Sequence, residues 1–313
     1  MGMPYAVVGA GYWGQRHADR AREVDGVDVA FVVDRDRSRA EALAARVGAA
    51  APDDVRRLAG RVTAAAVAVP ASEHRAVACA LLEAGIAVLL EKPLAPTLAE
   101  VDALLEAARR TGVLLQVGHL ERFNPAVVAA RGVVRNPRFI EVHRIGPFSG
   151  RASDVDVVLD LMIHDLDLVL DFVGAKVVEV RAAGAPVLSG QIDIANARLE
   201  FANGAVANVT ASRASLKEER KLRVFHNDGY TAIDFARQEV VSVERRIDTR
   251  GEVTIEARLL DVATSDPLRD EIRSFVRAVK GEAADVPPLD VAREAIALSQ
   301  QIRGDIQRRL ENC

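Results

Sequence analysis

Apolar and polar positions follow different patterns in the two halves of the chain. In residues 1–118, aliphatic runs without polar alternation are separated by stretches with a period of 3.6 residues. The runs are Tyr5–Gly9, Val29–Asp34, Ala64–Pro70, Ala87–Glu91 and Val113–Val117. Aliphatic strands that are each followed by a helix are typical of a parallel sheet covered on both faces. We therefore predict an N-terminal α/β domain with a doubly wound parallel sheet, and Thr97 and Glu100 form a capping box for its last helix.

The pattern of residues 119–313 predicts a second α/β domain. Helices are predicted over about Pro125–Val134, Val157–Phe172, Leu268–Lys280 and Val291–Leu310. Strands such as Ile194–Phe201 alternate apolar and polar residues, and Asn203-Gly204 and Asp228-Gly229 are tight-turn dipeptides between paired runs. These features predict an open, mainly antiparallel sheet with one exposed face. The C-terminal helix is expected to stay with this domain or to pack back on the first one.

Composition argues against several classes of protein. A chain of 313 residues, half of them hydrophobic, is long enough for two domains. The formal net charge is -4 and basic residues are scattered among acidic ones, which argues against nucleic acid as a partner. No apolar run approaches the roughly 18 residues of a membrane helix. The two cysteines, Cys79 and Cys313, are too few for a disulfide framework or a metal cluster. We expect a cytoplasmic protein without a metal site and without membrane association.

A glycine-rich turn follows the first predicted strand directly and opens a helix. It reads Gly9-Ala-Gly11-Tyr-Trp-Gly14. Glycines at these positions permit a tight turn and a close backbone approach, so that a pyrophosphate can bind at the positive end of the helix. The context of strand, turn and helix predicts a dinucleotide site, whereas a glycine motif alone would be weak evidence.

An acid at the end of the second predicted strand distinguishes between cofactors. Asp34 lies twenty residues beyond Gly14, where a carboxylate can accept hydrogen bonds from the adenosine ribose. The same carboxylate would repel the 2′-phosphate of NADP, so NAD is favoured. Arg35 and Arg37 leave NADP open, because a nearby guanidinium can accommodate that phosphate.

Lys92 is the first candidate for chemistry, in the tripeptide Glu91-Lys92-Pro93 at the end of a predicted strand. Ligands of open parallel sheets bind beyond the carboxyl ends of the strands, which brings Lys92 to the cofactor crevice. Pro93 restricts the backbone of its predecessor and so fixes the direction of Lys92. An ordinary strand-ending turn is the alternative interpretation.

A second candidate lies on the predicted helix Val157–Phe172. Asp160 and His164 are four residues apart and can touch, and Asp167 and Asp171 continue the same helical stripe. A wide apolar arc indicates a mostly buried helix whose polar stripe faces a cleft, although polar stripes usually face water. A carboxylate beside an imidazole suits a general base that removes a hydroxyl proton.

Together these motifs resemble the glucose–fructose oxidoreductase and inositol dehydrogenase (Gfo/Idh/MocA) superfamily, over essentially the whole chain. The resemblance implies an N-terminal Rossmann domain and a C-terminal domain whose open sheet often supports a homodimer or homotetramer. It implies catalysis by Lys92, Asp160 and His164, and a cis bond before Pro93. The cofactor contacts that it implies include Tyr12, Trp13, Val69, Pro70, His74 and Glu91.

Three segments look like the nucleotide-sugar branch of that superfamily. They are Gln116–Pro125, Asp160–Asp167 and Thr210–Arg213. The segments are most similar to UDP-N-acetylglucosamine 3-dehydrogenases, which oxidise the C3 hydroxyl of the sugar with NAD ahead of a transaminase. Many relatives have a glycine-rich run where this chain has Asp154–Val158, so the orientation of the sugar stays open.

The substrate side can be predicted only in outline. The two phosphates of a UDP-sugar suit arginine side chains. Arg122, Arg144 and Arg151 flank the segment before the predicted catalytic helix, and we nominate them as substrate contacts, with Asn124 as a hydroxyl partner. Surface arginines without a ligand are the alternative for each of the three.

The leading functional hypothesis is an NAD-dependent sugar dehydrogenase. His164 is the predicted base, oriented by Asp160, and Lys92 stabilises the reacting oxygen. The roles of Lys92 and His164 can be reversed, because burial can lower the pKa of a lysine. The alternatives are a dehydrogenase of free polyols such as inositol, and an NAD-binding regulator that does no chemistry.

Overall fold

A computed structural model describes residues 2–148 and 155–311. They form two compact units. The first unit comprises the residues up to Phe123 together with Asp266–Arg293, and the second comprises Asn124–Ser265 together with the residues from Glu294 onward. Residues 266–293, which the sequence pattern assigned to the second half, therefore group with the N-terminal unit.

The first unit contains a five-stranded parallel sheet with the order β2-β1-β3-β4-β5. The strands are β1 (Met3–Val8), β2 (Val27–Val33), β3 (Ala64–Val67), β4 (Ala87–Leu90) and β5 (Leu115–Val117). The helices between them are α1 (Tyr12–Ala21), α2 (Arg37–Val47), α3 (Ala71–Glu83) and α4 (Leu98–Thr111). Short 3-10 turns cover Val55–Leu58 and Leu120–Phe123. The doubly wound parallel sheet is thus confirmed.

The second unit contains an eight-stranded sheet with the order β13-β12-β11-β10-β6-β9-β8-β7. The strands are β6 (Phe139–Ile145), β7 (Val177–Ala185), β8 (Ile194–Phe201), β9 (Val206–Ser212), β10 (Glu219–His226), β11 (Gly229–Asp234), β12 (Glu239–Ile247) and β13 (Val253–Leu259). Only β6 and β9 pair in parallel; the other neighbours are antiparallel. Alternate residues of β8 are exposed and buried, so the predicted mainly antiparallel sheet is confirmed.

One predicted turn differs in register from the structure. Asn203-Gly204 joins β8 to β9 as expected, and Gly204 has a φ of +81°. Gly229, however, pairs with His226 in the ladder between β10 and β11, so the two turn residues are Asn227 and Asp228. The glycine is needed inside the strand instead, because a Cβ there would lie 1.9 Å from the carbonyl oxygen of Val243.

The predicted helix over Val157–Phe172 is not a single regular α-helix. It begins with a π-helical turn, Val158–Met162, and continues as α6 (Ile163–Val173). The spacing of apolar residues along the chain predicts a helix, but it does not distinguish a single π-helical turn from an α-helical turn of 3.6 residues. Single π-helical turns occur frequently at functional sites. The preceding helix, α5, covers Pro125–Arg131.

Two helices complete the chain, α7 (Pro267–Val279) and α8 (Leu289–Glu311). Helix α7 belongs to the first unit, because Leu268, Ile272 and Phe275 are buried in the same core as Tyr5. Thr97 caps α4 as predicted, since its Oγ1 accepts a hydrogen bond from the Glu100 amide at 3.3 Å, and the Glu100 side chain reaches back to accept from the Thr97 hydroxyl at 2.9 Å. Within the two described ranges, no helix is long and apolar enough to cross a membrane.

Candidate active site

The glycine-rich turn between β1 and α1 has two positions where only glycine fits. Gly9 has a φ of +101°, and a Cβ at this residue would lie 2.4 Å from the carbonyl oxygen of Ala68. A Cβ on Gly14 would lie 1.7 Å from the carbonyl oxygen of Gly9. Gly11 has open space around it and begins α1 without a side chain that caps the first N–H groups. Such a helix start suits a diphosphate, so the residues present fit a dinucleotide.

Two aromatic residues of this turn are accessible. Tyr12 is 57% exposed and Trp13 is 37% exposed, and their rings meet edge to face at 5.6 Å. The guanidinium of Arg16 lies over both rings, 5.2 Å from one centroid and 5.8 Å from the other. Both side chains therefore lie at the surface of the turn, where the resemblance places cofactor contacts.

Asp34 follows β2 and holds the turn together. Its Oδ2 accepts a hydrogen bond from the Ala10 amide at 2.6 Å, and its Oδ1 accepts one from the Asp36 amide at 2.8 Å. A carboxylate oxygen can accept more than one hydrogen bond, so both oxygens can still receive a ribose hydroxyl. Arg35 points to α3 and donates to Glu73 Oε1 at 2.7 Å. This contact occupies the guanidinium nitrogen Nη1.

Buried His74 connects the loops that follow β3 and β4. Its Nδ1 lies 2.8 Å from the carbonyl oxygen of Pro93, and its Nε2 lies 2.9 Å from that of Val69. Pro70 stands just before α3. Lys92 is partly buried and follows the strand end, and the Lys92-Pro93 bond is cis. The structure thus brings Val69, His74 and the Lys92-Pro93 turn together.

His17 contacts Glu91 in a pair that the sequence pattern did not reveal. Its Nε2 lies 2.8 Å from Glu91 Oε1, and the His17 side chain is 1% exposed. The only sequence signal is that His17 follows Gly14 by three residues and so lies almost one turn further along α1. Because Glu91 is 74 residues away, the contact could not be read from local spacing.

Asp160 and His164 lie on the π-helical turn and the start of α6, and both are partly exposed. Asp167, predicted on the same stripe, is instead 1% exposed. Asp156 caps the start of this helix, because its Oδ1 accepts hydrogen bonds from the amides of Val158 and Leu159 at 3.0 and 3.1 Å. The sequence pattern missed this cap, whose signal is an aspartate two residues before the helix.

The three nominated arginines differ in their surroundings. Arg144 is 5% exposed; its Nε and Nη2 donate to the fully buried carboxylate of Asp165 at 2.7–3.0 Å. We interpret this pair as an internal contact between β6 and α6. Arg122 is 3% exposed in the short turn after β5, and Arg151 lies outside the described residues. Asn124 caps α5 through its Oδ1, which accepts a hydrogen bond from Ala126 at 3.0 Å.

A second buried ion pair joins Arg213 to Asp193. Arg213 Nε donates to Asp193 Oδ1 at 2.7 Å, and its Nη1 donates to the carbonyl oxygen of Val155 at 2.8 Å. The guanidinium also lies over the ring of Phe148. Burial acts to raise the pKa of Asp193, but hydrogen bonds from Ser189, from backbone amides and from Arg213 outweigh it and hold that pKa below its usual range. Asp193 is thus ionised at neutral pH.

Family models match both halves of the chain. The model described as "Oxidoreductase family, NAD-binding Rossmann fold" matches residues 3–119. The model described as "GFO/IDH/MocA C-terminal domain" matches residues 126–231. The matched ranges lie on the five-stranded sheet and on most of the eight-stranded sheet.

Known proteins resemble the chain along its whole length. The UDP-N-acetylglucosamine 3-dehydrogenase of Acidithiobacillus ferrooxidans is 33% identical over 311 residues, which cover 99% of each chain. A solved structure of that enzyme has a TM-score of 0.92 and covers 98% of this chain and 99% of its own. The scyllo-inositol 2-dehydrogenase (NAD(+)) of Bacillus subtilis is 29% identical over 265 residues, 76% of this chain and 75% of its own. Myo-inositol 2-dehydrogenase from Lactobacillus plantarum, 19% identical with 98% of each chain covered, shares the fold with a TM-score of 0.80.

Proposed function

Because this chain belongs to the Gfo/Idh/MocA family of NAD-binding oxidoreductases, we propose that it oxidises the C3 hydroxyl of UDP-N-acetylglucosamine to a ketone. The observation that carries the proposal is the 33% identity to a UDP-N-acetylglucosamine 3-dehydrogenase across 99% of both chains. The alignment spans both units of the chain. Many dehydrogenases with different substrates share the Rossmann unit, so similarity that includes the second unit supports a shared substrate class better than similarity in the Rossmann unit alone.

NAD is the proposed hydride acceptor. The turn from Gly9 to Gly14 fits the pyrophosphate, and both carboxylate oxygens of Asp34 lie at the end of β2, where they can accept ribose hydroxyls. Arg35 donates only one of its N–H groups to Glu73 and is largely exposed, so the preference for NAD rests on the Asp34 carboxylate, which would repel a 2′-phosphate. When bound, NAD accepts the hydride from the sugar carbon.

Lys92, Asp160 and His164 are the proposed catalytic residues. An imidazole nitrogen of His164 takes the hydroxyl proton, and Asp160, four residues earlier, orients the ring. The ammonium of Lys92 donates a hydrogen bond to the reacting oxygen and stabilises its developing negative charge. The oxygen thereby loses its proton as the carbon loses its hydride, which leaves the ketone. Arg122 and Asn124 stay proposed substrate contacts.

The assembly and the next reaction are also proposals. The exposed face of the eight-stranded sheet is a proposed contact surface between copies of the chain, giving a homodimer or homotetramer. The 3-keto sugar is a suitable substrate for a transaminase, which would convert the ketone to an amine. Size measurement by light scattering tests the first proposal, and a coupled assay that adds a transaminase with an amino donor tests the second.

The activity can be tested directly with purified protein. We expect the absorbance of reduced nicotinamide to rise when NAD and UDP-N-acetylglucosamine are present together. Lys92→Met and His164→Asn are expected to lower kcat by roughly 100-fold or more each, because both act on the reacting hydroxyl. The matched control is Lys217→Met at an exposed lysine, which should leave kcat unchanged.

Three results would each contradict a part of this proposal. Turnover of myo-inositol but not of the nucleotide sugar would favour the second candidate, a polyol dehydrogenase, which the 29% identity to scyllo-inositol 2-dehydrogenase supports. If His164→Asn kept the turnover of the unmodified protein while Lys92→Met lost it and still bound NAD, the lysine would be the base. Equal activity with NADP and NAD would remove the role proposed for Asp34.

A further inference from the structure

His17 and Glu91 form a buried pair next to the turn that carries Lys92. His17 Nε2 lies 2.8 Å from Glu91 Oε1, and the two side chains are 1% and 12% exposed. The other carboxylate oxygen, Oε2, accepts a hydrogen bond from the backbone N–H of Lys92 at 3.3 Å. One carboxylate therefore joins a side chain of α1 to the peptide group of the proposed catalytic lysine.

Backbone hydrogen bonds hold the strand end that carries Glu91. The Glu91 amide donates to the carbonyl oxygen of Val67 at 3.0 Å, and the Gly118 amide donates to that of Leu90 at 2.7 Å. The backbone from which the Glu91 side chain projects is thus tied to both neighbouring strands.

Glu271 of α7 is a second acid that interacts with Glu91. Glu271 is fully buried, and within residues 2–148 and 155–311 neither of its carboxyl oxygens has a hydrogen-bond partner. Burial, and then the charge of Glu91, raises the pKa of Glu271 well above its usual range. The nearly buried carboxylate of Glu91 is stabilised by its hydrogen bond with His17 Nε2.

Helix α1 connects the cofactor turn to His17. Its first turn, with Gly11 and Gly14, fits the cofactor pyrophosphate, and His17 lies three residues beyond Gly14. Because an α-helix has 3.6 residues per turn, His17 is less than one turn away from Gly14. Glu91 in turn contacts both the His17 ring and the Lys92 backbone.

On the basis of the catalytic role proposed for Lys92, we propose that His17 is a positioning residue that couples the cofactor turn to Lys92 through Glu91. His17 touches neither substrate nor cofactor in this role. It fixes the peptide from which the Lys92 side chain projects, and therefore the position of the ammonium at the reacting oxygen. A displacement of about 1 Å at such a group can cost on the order of 100-fold in rate.

Activity measurements form the first arm of the test. His17→Leu replaces the imidazole with an apolar side chain of similar size and so removes the donor, whereas His17→Gln keeps an N–H donor at about the position of Nε2. We expect His17→Leu to lower kcat by roughly 10- to 100-fold, with the KM of the sugar and the Kd of NAD changed by less than about threefold. His17→Gln should recover most of kcat.

The matched control uses an exposed histidine–glutamate pair. His143 Nδ1 lies 3.3 Å from Glu219 Oε1, and both side chains are about 40% exposed. His143→Gln should leave kcat, KM and the Kd of NAD unchanged. A similar loss in this control would mean that histidine substitutions act through general destabilisation, which would overturn the role of His17.

Hydrogen exchange of the Lys92 amide forms a second arm that needs no turnover. In the protein without NAD, we expect His17→Leu to speed exchange of the Lys92 amide by about tenfold or more, with the Val88 amide in β4 unchanged as an internal reference. NAD should slow the Lys92 amide in the unmodified protein and have a smaller effect in His17→Leu. Both rates can be read by NMR or by mass spectrometry of the peptide around Lys92.

The outcomes separate this role from the proposed function. If the protein oxidises no sugar but His17→Leu speeds exchange of the Lys92 amide as expected, the proposed activity fails and the coupling stands. If His17→Leu keeps wild-type kcat, or if its Lys92 amide exchanges at the wild-type rate, the coupling is wrong. Parallel losses of kcat and NAD affinity would place His17 in cofactor binding and would also overturn it.

Discussion

Buried carboxyl groups have different hydrogen-bond partners in the two units. In the second unit, Asp165 and Asp193 are fully buried, and each is hydrogen-bonded to an arginine. In the first unit, Glu271 is equally buried, yet neither of its oxygens has a hydrogen-bond partner among the described residues. The second unit therefore stabilises buried charge with internal ion pairs, whereas in the first unit burial raises the pKa of an acid and so favours its neutral form.

The two units also differ in where their candidate site residues lie. In the first unit, Asp34 and Lys92 follow the ends of parallel strands, at the edge where ligands of such sheets usually bind. In the second unit, Arg144 and Arg213 lie in or next to strands but donate to carboxylates of their own unit. Position at the carboxyl end of a parallel strand is therefore the ground for the contacts proposed for Asp34 and Lys92, because residue type alone also fits the internal contacts of the two arginines.

The largest effect is expected at Gly14. A Cβ there would lie 1.7 Å from a backbone oxygen, so Gly14→Ala must displace the turn. We expect a loss of stability on the order of 4 kcal/mol or more, together with loss of measurable NAD binding. Thermal unfolding with and without NAD checks both, because a ligand that binds only the folded state raises the Tm.

Gly11→Ala is the matched control for this turn. A Cβ on Gly11 meets no atom within 4 Å, and the φ of -72° is open to any residue. The Tm without NAD should therefore stay within about 2 °C, while the shift caused by NAD becomes smaller because the methyl group lies at the pyrophosphate site. A Gly14→Ala protein as stable as the original would contradict the steric account.

The sequence predicted the first unit better than the second for a physical reason. The turn from Gly9 to Gly14 and the position of Lys92 follow from neighbouring residues, so local patterns are sufficient. The partner of Arg144 is 21 residues away and that of Arg213 is 20 residues away, and both pairs form only after β6, β9 and α6 have assembled. Their side chains could not be assigned from local patterns to internal contacts or to a substrate.

The helix of His164 shows the same limit. Its apolar residues predicted burial and its polar residues predicted a stripe, but Asp167 is buried and the first turn is π-helical. Apolar spacing reports which residues are buried on average. It does not report how the backbone hydrogen bonds are arranged in one turn, because that arrangement depends on the packing around it.

The next effect in size concerns the internal ion pairs. Arg144→Met leaves the Asp165 carboxylate buried without its bidentate partner, whereas Arg213→Met leaves Asp193 with its hydrogen bonds from Ser189 and backbone amides. We expect Arg144→Met to lose about 3–5 kcal/mol of unfolding free energy, because an unpaired buried charge is strongly destabilising, and Arg213→Met to lose less. Urea unfolding at neutral pH measures the loss.

An exposed pair provides the control for these arginines. Arg220 Nη2 lies 3.2 Å from Glu218 Oε1, and the side chains are 48% and 58% exposed. Arg220→Met should change the unfolding free energy by less than about 1 kcal/mol, since surface pairs contribute little. If Arg144→Met kept its stability and raised the KM of the sugar instead, Arg144 would be the substrate contact that its sequence position suggested.

A further effect is the pH dependence of stability that Glu271 confers. Its pKa in the folded protein is raised well above the ordinary value of 4.5 by burial and by the charge of Glu91. Above about pH 4.5 the unfolded chain releases this proton while the folded protein keeps it, so the unfolded state binds fewer protons. The contribution of Glu271 to stability is therefore complete below that pH and decreases, by up to about 1.4 kcal/mol per pH unit, until the folded pKa is reached.

Glu271→Gln isolates this contribution, because the amide is neutral in both states and has nearly the same shape as the protonated acid. Urea unfolding of both proteins between about pH 5 and pH 8 should show the unmodified protein losing stability relative to the variant as the pH rises. Asp193 has the opposite sign, since its lowered pKa makes stability fall as the solution becomes more acidic. If the two curves ran parallel over the whole range, Glu271 would be ionised in the folded protein, and the contrast between a neutral buried acid in the first unit and paired buried charges in the second would be wrong.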